Sequence, residues 1–208
     1  MKILSIYPWT HISSASLMIN GKIVSAIAEE RLERVKWSTK FPIKSIEWCL
    51  KSSNLKLDDI DYISIPWNPA HNIYSTSSRW DNNIFWRGQL LSHIPSNLMK
   101  IISKGPAESM ETKFGNTRII YLNHHECHAA SAAFFSGWKK SYVLTADGWG
   151  DGYSSKLFKF EKNKLYMKRS SSILDSLGYF YGSITKLLGF KPHRHEGKIL
   201  GLAAYGNP

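Results

Sequence analysis

Cysteine is scarce: Cys49 and Cys127 are the only two in 208 residues. Two thiols make no disulfide framework, which removes the small stapled scaffolds and points to a reducing, cytoplasmic compartment. Apolar residues never run to the roughly 20 in succession that a helical bilayer span requires, so no membrane role is expected. The opening MKILSIYPW passes into polar THISS without an apolar segment of signal-peptide length. Acidic residues are also in short supply, 16 against 27 lysines and arginines, leaving a formal charge of +11. That balance fits a generally solvated basic surface first, then a pocket for an anionic partner such as a nucleotide or a phosphorylated metabolite, and last a nucleic-acid track. The basic residues come singly or in pairs, and no long run is present to track a phosphate backbone. A nucleic-acid partner is therefore not expected.

What is present is a chain able to bury a substantial core, as one large domain or two small ones. MKILSIY reads as a strand, followed by a polar bend, SASLMI, the dipeptide Asn20-Gly21, and KIVSAIAEE. Asn-Gly between two apolar runs marks a tight hairpin. A charged segment, EERLERVKW, leads to Pro42 at the start of a helix through PIKSIEWCLKSSN, and DYISIPW is a short strand. A further helix is expected over WRGQLLSHIPSNLMKII. RIIYLN is another strand, and it runs directly into NHHECHAASAAFF.

That last stretch places three histidines and a cysteine within six positions of the edge of an alanine-rich run. Asn123 suits a helix N-cap, and Glu126 three residues later gives a capping-box pattern. Gly137 is a natural stop. On this helix His124 and His128 stand one turn apart on one face, while His125 projects about 100° away. Two imidazoles at that spacing can share one metal ion. Taken alone, the stretch leaves metal binding and two ordinary polar histidines equally open. Cys127 is expected to be a packed thiol.

The segment SYVLTADGWGDGYSSKLFKFEKNKLYMKRS repeats the plan of the first thirty residues: strand, bend, Ser-bearing strand, polar turn, strand. A duplicated meander is how an actin/hexokinase-like (ribonuclease H-like) α/β fold builds two lobes around a cleft. The expectation is two separate half-domains, residues 1–138 as a complete first lobe and 139–208 as the start of a truncated second. Asp147 is expected at the end of the strand SYVLTAD, with Gly148 and Gly150 allowing a sharp turn. It would join His124 and His128 in a two-histidine, one-carboxylate site suited to iron(II) or zinc.

Six ordered motifs, HISSASL, AEERLERVK, NHHECHAASA, LTADGWGD, SLGYFY and HEGKILGLAAYG, span residues 11 to 206. Together they resemble the carbamoyltransferase family of nodulation-factor and antibiotic-tailoring O-carbamoyltransferases. The resemblance implies a longer protein, with a further adenylate-forming domain absent here that makes carbamoyl-adenylate from ATP and carbamoyl phosphate. The carbamoyl group then passes to a hydroxyl of a small, sugar-like acceptor. By the same resemblance His124, His128 and Asp147 hold the metal, iron(II) first and zinc second, and Asp147 also borders the adenylate. His11 is the general base toward the acceptor, with Ile12 where the family usually carries aspartate. Lys36, Gly178, Glu196 and Lys198 match positions that contact carbamoyl-adenylate, through phosphate for the ammonium groups and the helix-start glycine and through ribose for the carboxylate. The 208 residues alone are expected to be inactive, and a homodimer is one option for assembly. The alternatives are a relative of the tRNA threonylcarbamoyl transferases and a non-catalytic nucleotide-binding fragment.

Overall fold

A computed structural model describes residues 1–8, 12–38, 40–66 and 118–207. His11 and the helix expected within residues 86–102 lie outside the described residues. The chain divides into two compact units, one built on each of two sheets. Among the described residues no helix is long and apolar enough to cross a membrane.

The first sheet has the order β3-β2-β1-β4-β5, with β1 at Lys2–Tyr7, β2 at Ser14–Ile19, β3 at Lys22–Ala28, β4 at Tyr62–Ile65 and β5 at Arg118–Tyr121. β1 pairs antiparallel with β2, and β2 antiparallel with β3, while β4 and β5 run parallel to β1. This is the strand order of the ribonuclease H-like half of an actin/hexokinase-like fold, so the α/β class read from the sequence holds. Alternation sets the faces: Leu4, Ile6, Ala15, Leu17, Ile63 and Ile65 point one way and are buried. They pack with Ile46 and Cys49, which share one stripe of helix α2, Ile43–Ser52. Fully burying such a leucine or isoleucine contributes about 1.5–3 kcal/mol. Burial pushes the Cys49 thiol up from its ordinary value, so this cysteine stays protonated and inert.

Asn20 and Gly21 carry φ of 48° and 80°, as a two-residue hairpin requires, and Ile19 pairs with Lys22 across it. A Cβ on Gly21 would meet nothing within 4 Å. Gly21→Ala is therefore expected to cost only the left-handed backbone penalty, about 1 kcal/mol by urea unfolding, with the hairpin register kept.

Helix α1, Glu29–Glu33, precedes α2 and is tied to it by an unusual cap. Pro42 stands at the N-cap of α2 and supplies no side-chain acceptor. Glu29, almost fully buried, accepts instead from the amides of Lys44 at 3.1 Å and Ser45 at 2.8 Å and from the Ser45 hydroxyl at 2.6 Å. The other carboxylates of the same charged run build the loop that follows. Glu30 accepts from the Trp37 amide at 2.9 Å, and Glu33 from the Ser38 hydroxyl at 2.7 Å.

The second sheet is an antiparallel meander of β6 (Lys140–Gly150), β7 (Tyr153–Glu161) and β8 (Lys164–Ser172). Its strand plan repeats β1 to β3, and the two meanders lie in separate sheets. Asp151-Gly152 and Lys162-Asn163 make its tight turns, all four with positive φ. Val143, Phe158 and Phe160 face inward against Ala129 and Ala133 of helix α3, His124–Phe135. Two more helices follow, α4 at Leu177–Leu187 and α5 at Glu196–Leu202.

Candidate functional site

The histidine helix begins as the sequence predicts. Asn123 Oδ1 accepts from the Glu126 amide at 3.2 Å, and the Asn123 carbonyl accepts from the Cys127 amide at 3.0 Å. Gly137, at φ 73°, follows its end. His125 has no exposed surface and lies on the stripe of Ala129 and Ala133, one and two turns on. The sequence separated His125 from the histidine pair but did not reveal that it is core. Phe134 and Phe135 at the far end of the helix are largely exposed, and Phe134 reaches Phe160 edge-on at 5.2 Å. Cys127, expected to be packed in the core, is half-buried.

His124 and His128 leave the helix on the other side, half-buried and half-exposed respectively. His128 Nε2 lies 3.4 Å from Asp147 Oδ2. One donor atom from each of His124, His128 and Asp147 falls within 4.8 Å of the other two. Two neutral nitrogens and a carboxylate oxygen this close, reachable from solvent, form a donor set of the kind that divalent iron or zinc accepts.

Asp147 reaches this point by a route the sequence did not show. The strand does not end there but runs to Gly150, and the turn falls at Asp151-Gly152. Ala146 pairs with Ser155 and Gly150 with Tyr153, so Asp147, Gly148 and Trp149 together oppose only Ser154. Such a bulge bends a strand and re-aims its side chains. Asp147 Oδ1 accepts from the Gly148 amide at 2.7 Å, and the other oxygen faces His128.

Gly178 sits in the first turn of α4, as expected, and packs closely on the bulge. A Cβ there would lie 2.7 Å from Gly148 Cα and 3.0 Å from the Asp147 carbonyl oxygen. Ser176, the N-cap of α4, accepts from the Tyr179 amide at 3.1 Å and donates to the Gly148 carbonyl at 2.6 Å. Burial, with the Asp147 carboxylate second, raises the Tyr179 phenol above its ordinary value, so it remains a proton donor throughout the neutral range. Sequence reasoning gave Ser176 and Tyr179 no role, although a serine just before an apolar helix is the standard sign of a cap.

The remaining candidates are spread out. Glu196 opens α5, where its Oε1 accepts from the His193 amide at 2.5 Å and approaches the Cα side of Gly182 on α4. Lys198 is exposed, 3.4 Å from His195 Nε2. Lys36 is exposed in the turn after α1, in the first unit.

Against known proteins, residues 2–208 match the family described as Carbamoyltransferase N-terminus. The nodulation protein NolNO of Sinorhizobium fredii is 33% identical over 201 residues, covering 95% of this chain and 28% of that protein. The uncharacterized protein MJ1051 of Methanocaldococcus jannaschii is 32% identical over 195 residues, covering 94% and 32%. The chain thus spans about a third of the length of these relatives. Among solved structures, component A of (R)-2-hydroxyglutaryl-CoA dehydratase from Acidaminococcus fermentans aligns with a TM-score of 0.44 at 15% identity, over 100% of this chain and 60% of that one.

Proposed function

The chain belongs to the carbamoyltransferase family, matching its N-terminal part, and from that premise we propose that it carries the carbamoyl-transfer site of an O-carbamoyltransferase. The observation that supports this reading most directly is the convergence of His124, His128 and Asp147 donor atoms within 4.8 Å of one another. These three residues would hold iron(II) or zinc, which supplies positive charge to orient a phosphorylated donor and polarise its carbonyl. The donor proposed is carbamoyl-adenylate, made from ATP and carbamoyl phosphate elsewhere in a longer protein. The acceptor proposed is a small molecule with a free, sugar-like hydroxyl.

The residues of this chain divide the work by chemistry. His11 takes the proton from the acceptor hydroxyl as the new oxygen–carbon bond forms. The bond between the carbamoyl carbon and the phosphate oxygen breaks, and AMP leaves with the electron pair. Lys36 and Lys198 offer ammonium groups to that phosphate. Glu196 keeps one carboxylate oxygen for the ribose hydroxyls while the other holds the His193 amide. Gly178 brings the first turn of α4 to the bulge, where its role as a phosphate contact depends on the free amides of that turn.

AMP is the stable probe of this arrangement. We expect it to bind the chain in the presence of zinc, and Lys36→Ala and Lys198→Ala each to weaken it roughly tenfold, as loss of a charge-assisted contact does. Exposed Lys164→Ala should leave binding unchanged. Calorimetric titration that finds no AMP binding, or equal affinity in all four proteins, defeats the adenylate reading.

A further inference from the structure

The bulge that carries Asp147 is contacted from outside its own strand. Bulged residues have left the sheet ladder, so their carbonyls need other partners. Ser176 supplies one: its hydroxyl, on a residue only 6% exposed, lies 2.6 Å from the Gly148 carbonyl oxygen and 3.3 Å from that of Asp147. The same oxygen accepts from the Tyr179 amide and so fixes the start of α4. Gly148 in turn donates its amide to Asp147 Oδ1 at 2.7 Å, which leaves Oδ2 turned to His128 at 3.4 Å. One residue, Gly148, therefore accepts the serine hydrogen bond at its carbonyl and donates its amide to the carboxylate. The spacing has no slack, because a Cβ on Gly178 would sit 2.7 Å from Gly148 Cα and 2.9 Å from its nitrogen.

We propose that Ser176, seated by Gly178, is the positioning residue that aims the Asp147 carboxylate at the histidine pair. The proposal rests on the metal reading given above. Outer partners of metal ligands commonly change metal affinity 10- to 100-fold without touching the ion. Ser176 acts at one remove further, through Gly148, so about tenfold is expected.

Cobalt(II) added to the purified chain is the probe, followed by its ligand-field absorption, with amide hydrogen exchange of Gly148 measured on the metal-free protein. Ser176→Ala should weaken cobalt binding about tenfold, alter the absorption band and speed exchange at Gly148. Ser176→Thr, which keeps the hydroxyl, should restore all three. Ser176→Gly guards against a folding failure, since glycine at an N-cap costs only a few tenths of a kcal/mol while removing the donor. Ser172→Ala removes a cap hydroxyl that serves the Leu174 amide and should change none of them. Unaltered cobalt affinity and unaltered Gly148 exchange in Ser176→Ala and Ser176→Gly overturn the proposal, as does an equal loss in Ser172→Ala. If the unsubstituted chain takes up no cobalt, the metal reading fails, and Gly148 exchange still decides whether Ser176 orders the bulge that carries the carboxylate.

Discussion

Glu29→Ala is expected to destabilise the first unit by about 3 kcal/mol, seen as a lower urea midpoint with little change in slope. Truncation strands the amides of Lys44 and Ser45 and the Ser45 hydroxyl, all held at 2.6–3.1 Å by a carboxylate with 1% of its surface exposed. It also removes the negative charge from the positive end of α2, where Pro42 offers no substitute. Glu29→Gln keeps the shape and one good acceptor, so its loss should be about half as large. Glu47→Ala, on the exposed side of α2, should stay within about 0.5 kcal/mol of the parent. Should Glu29→Ala unfold at the same midpoint as Glu47→Ala, the remote cap contributes nothing. The loop that carries Lys36 is held separately, by Glu30 on the Trp37 amide and Glu33 on the Ser38 hydroxyl.

That charged run shows where sequence reading stops. EERLERVKW reads as a solvated segment, since nothing in its spacing announces partners at Trp37, Ser38, Lys44 and Ser45. Local signals were legible because their partners are near. Asn20-Gly21 gives its turn, Asn123 its cap three residues before Glu126, and Gly137 its stop. The histidine pair was legible for the same reason, as one helical turn fixes the separation of His124 and His128. Asp147 was legible as a residue type but not as a geometry. Its placement depends on a register skip set by β7 and on contacts from Ser176 and Gly178, about thirty residues away. His125 was separated correctly from the pair by helical period, yet period alone does not say which side is wet. Only the inward stripe of Ala129 and Ala133, packed on Phe158 and Phe160, assigns it to the core.

This difference between neighbouring histidines gives the sharpest test of the metal centre. Zinc or iron(II) at about a hundred times its dissociation constant should stabilise the parent chain by about 2.7 kcal/mol, read as a rise in melting temperature. His128→Ala should abolish that rise while moving the metal-free melting temperature far less than a core substitution does, because the side chain is half exposed. Asp147→Ala should abolish it too. His125→Ala should do the reverse. Removing a fully buried imidazole leaves a void and takes away its edge-on contact with the His124 ring, centroids 5.6 Å apart, a loss of roughly 2 kcal/mol or more before any metal is added. The increment on adding metal should nevertheless survive, measured from that lowered baseline, since His125 points into the core and His124 and His128 do not. The comparison must therefore use the metal-induced increment and not the melting temperature itself, which falls in His125→Ala for reasons unrelated to a ligand. A retained increment in His128→Ala, or a vanished one in a folded His125→Ala, would make the pair ordinary polar residues at the start of a helix. The carbamoyl-transfer reading would then lose its principal support in this chain.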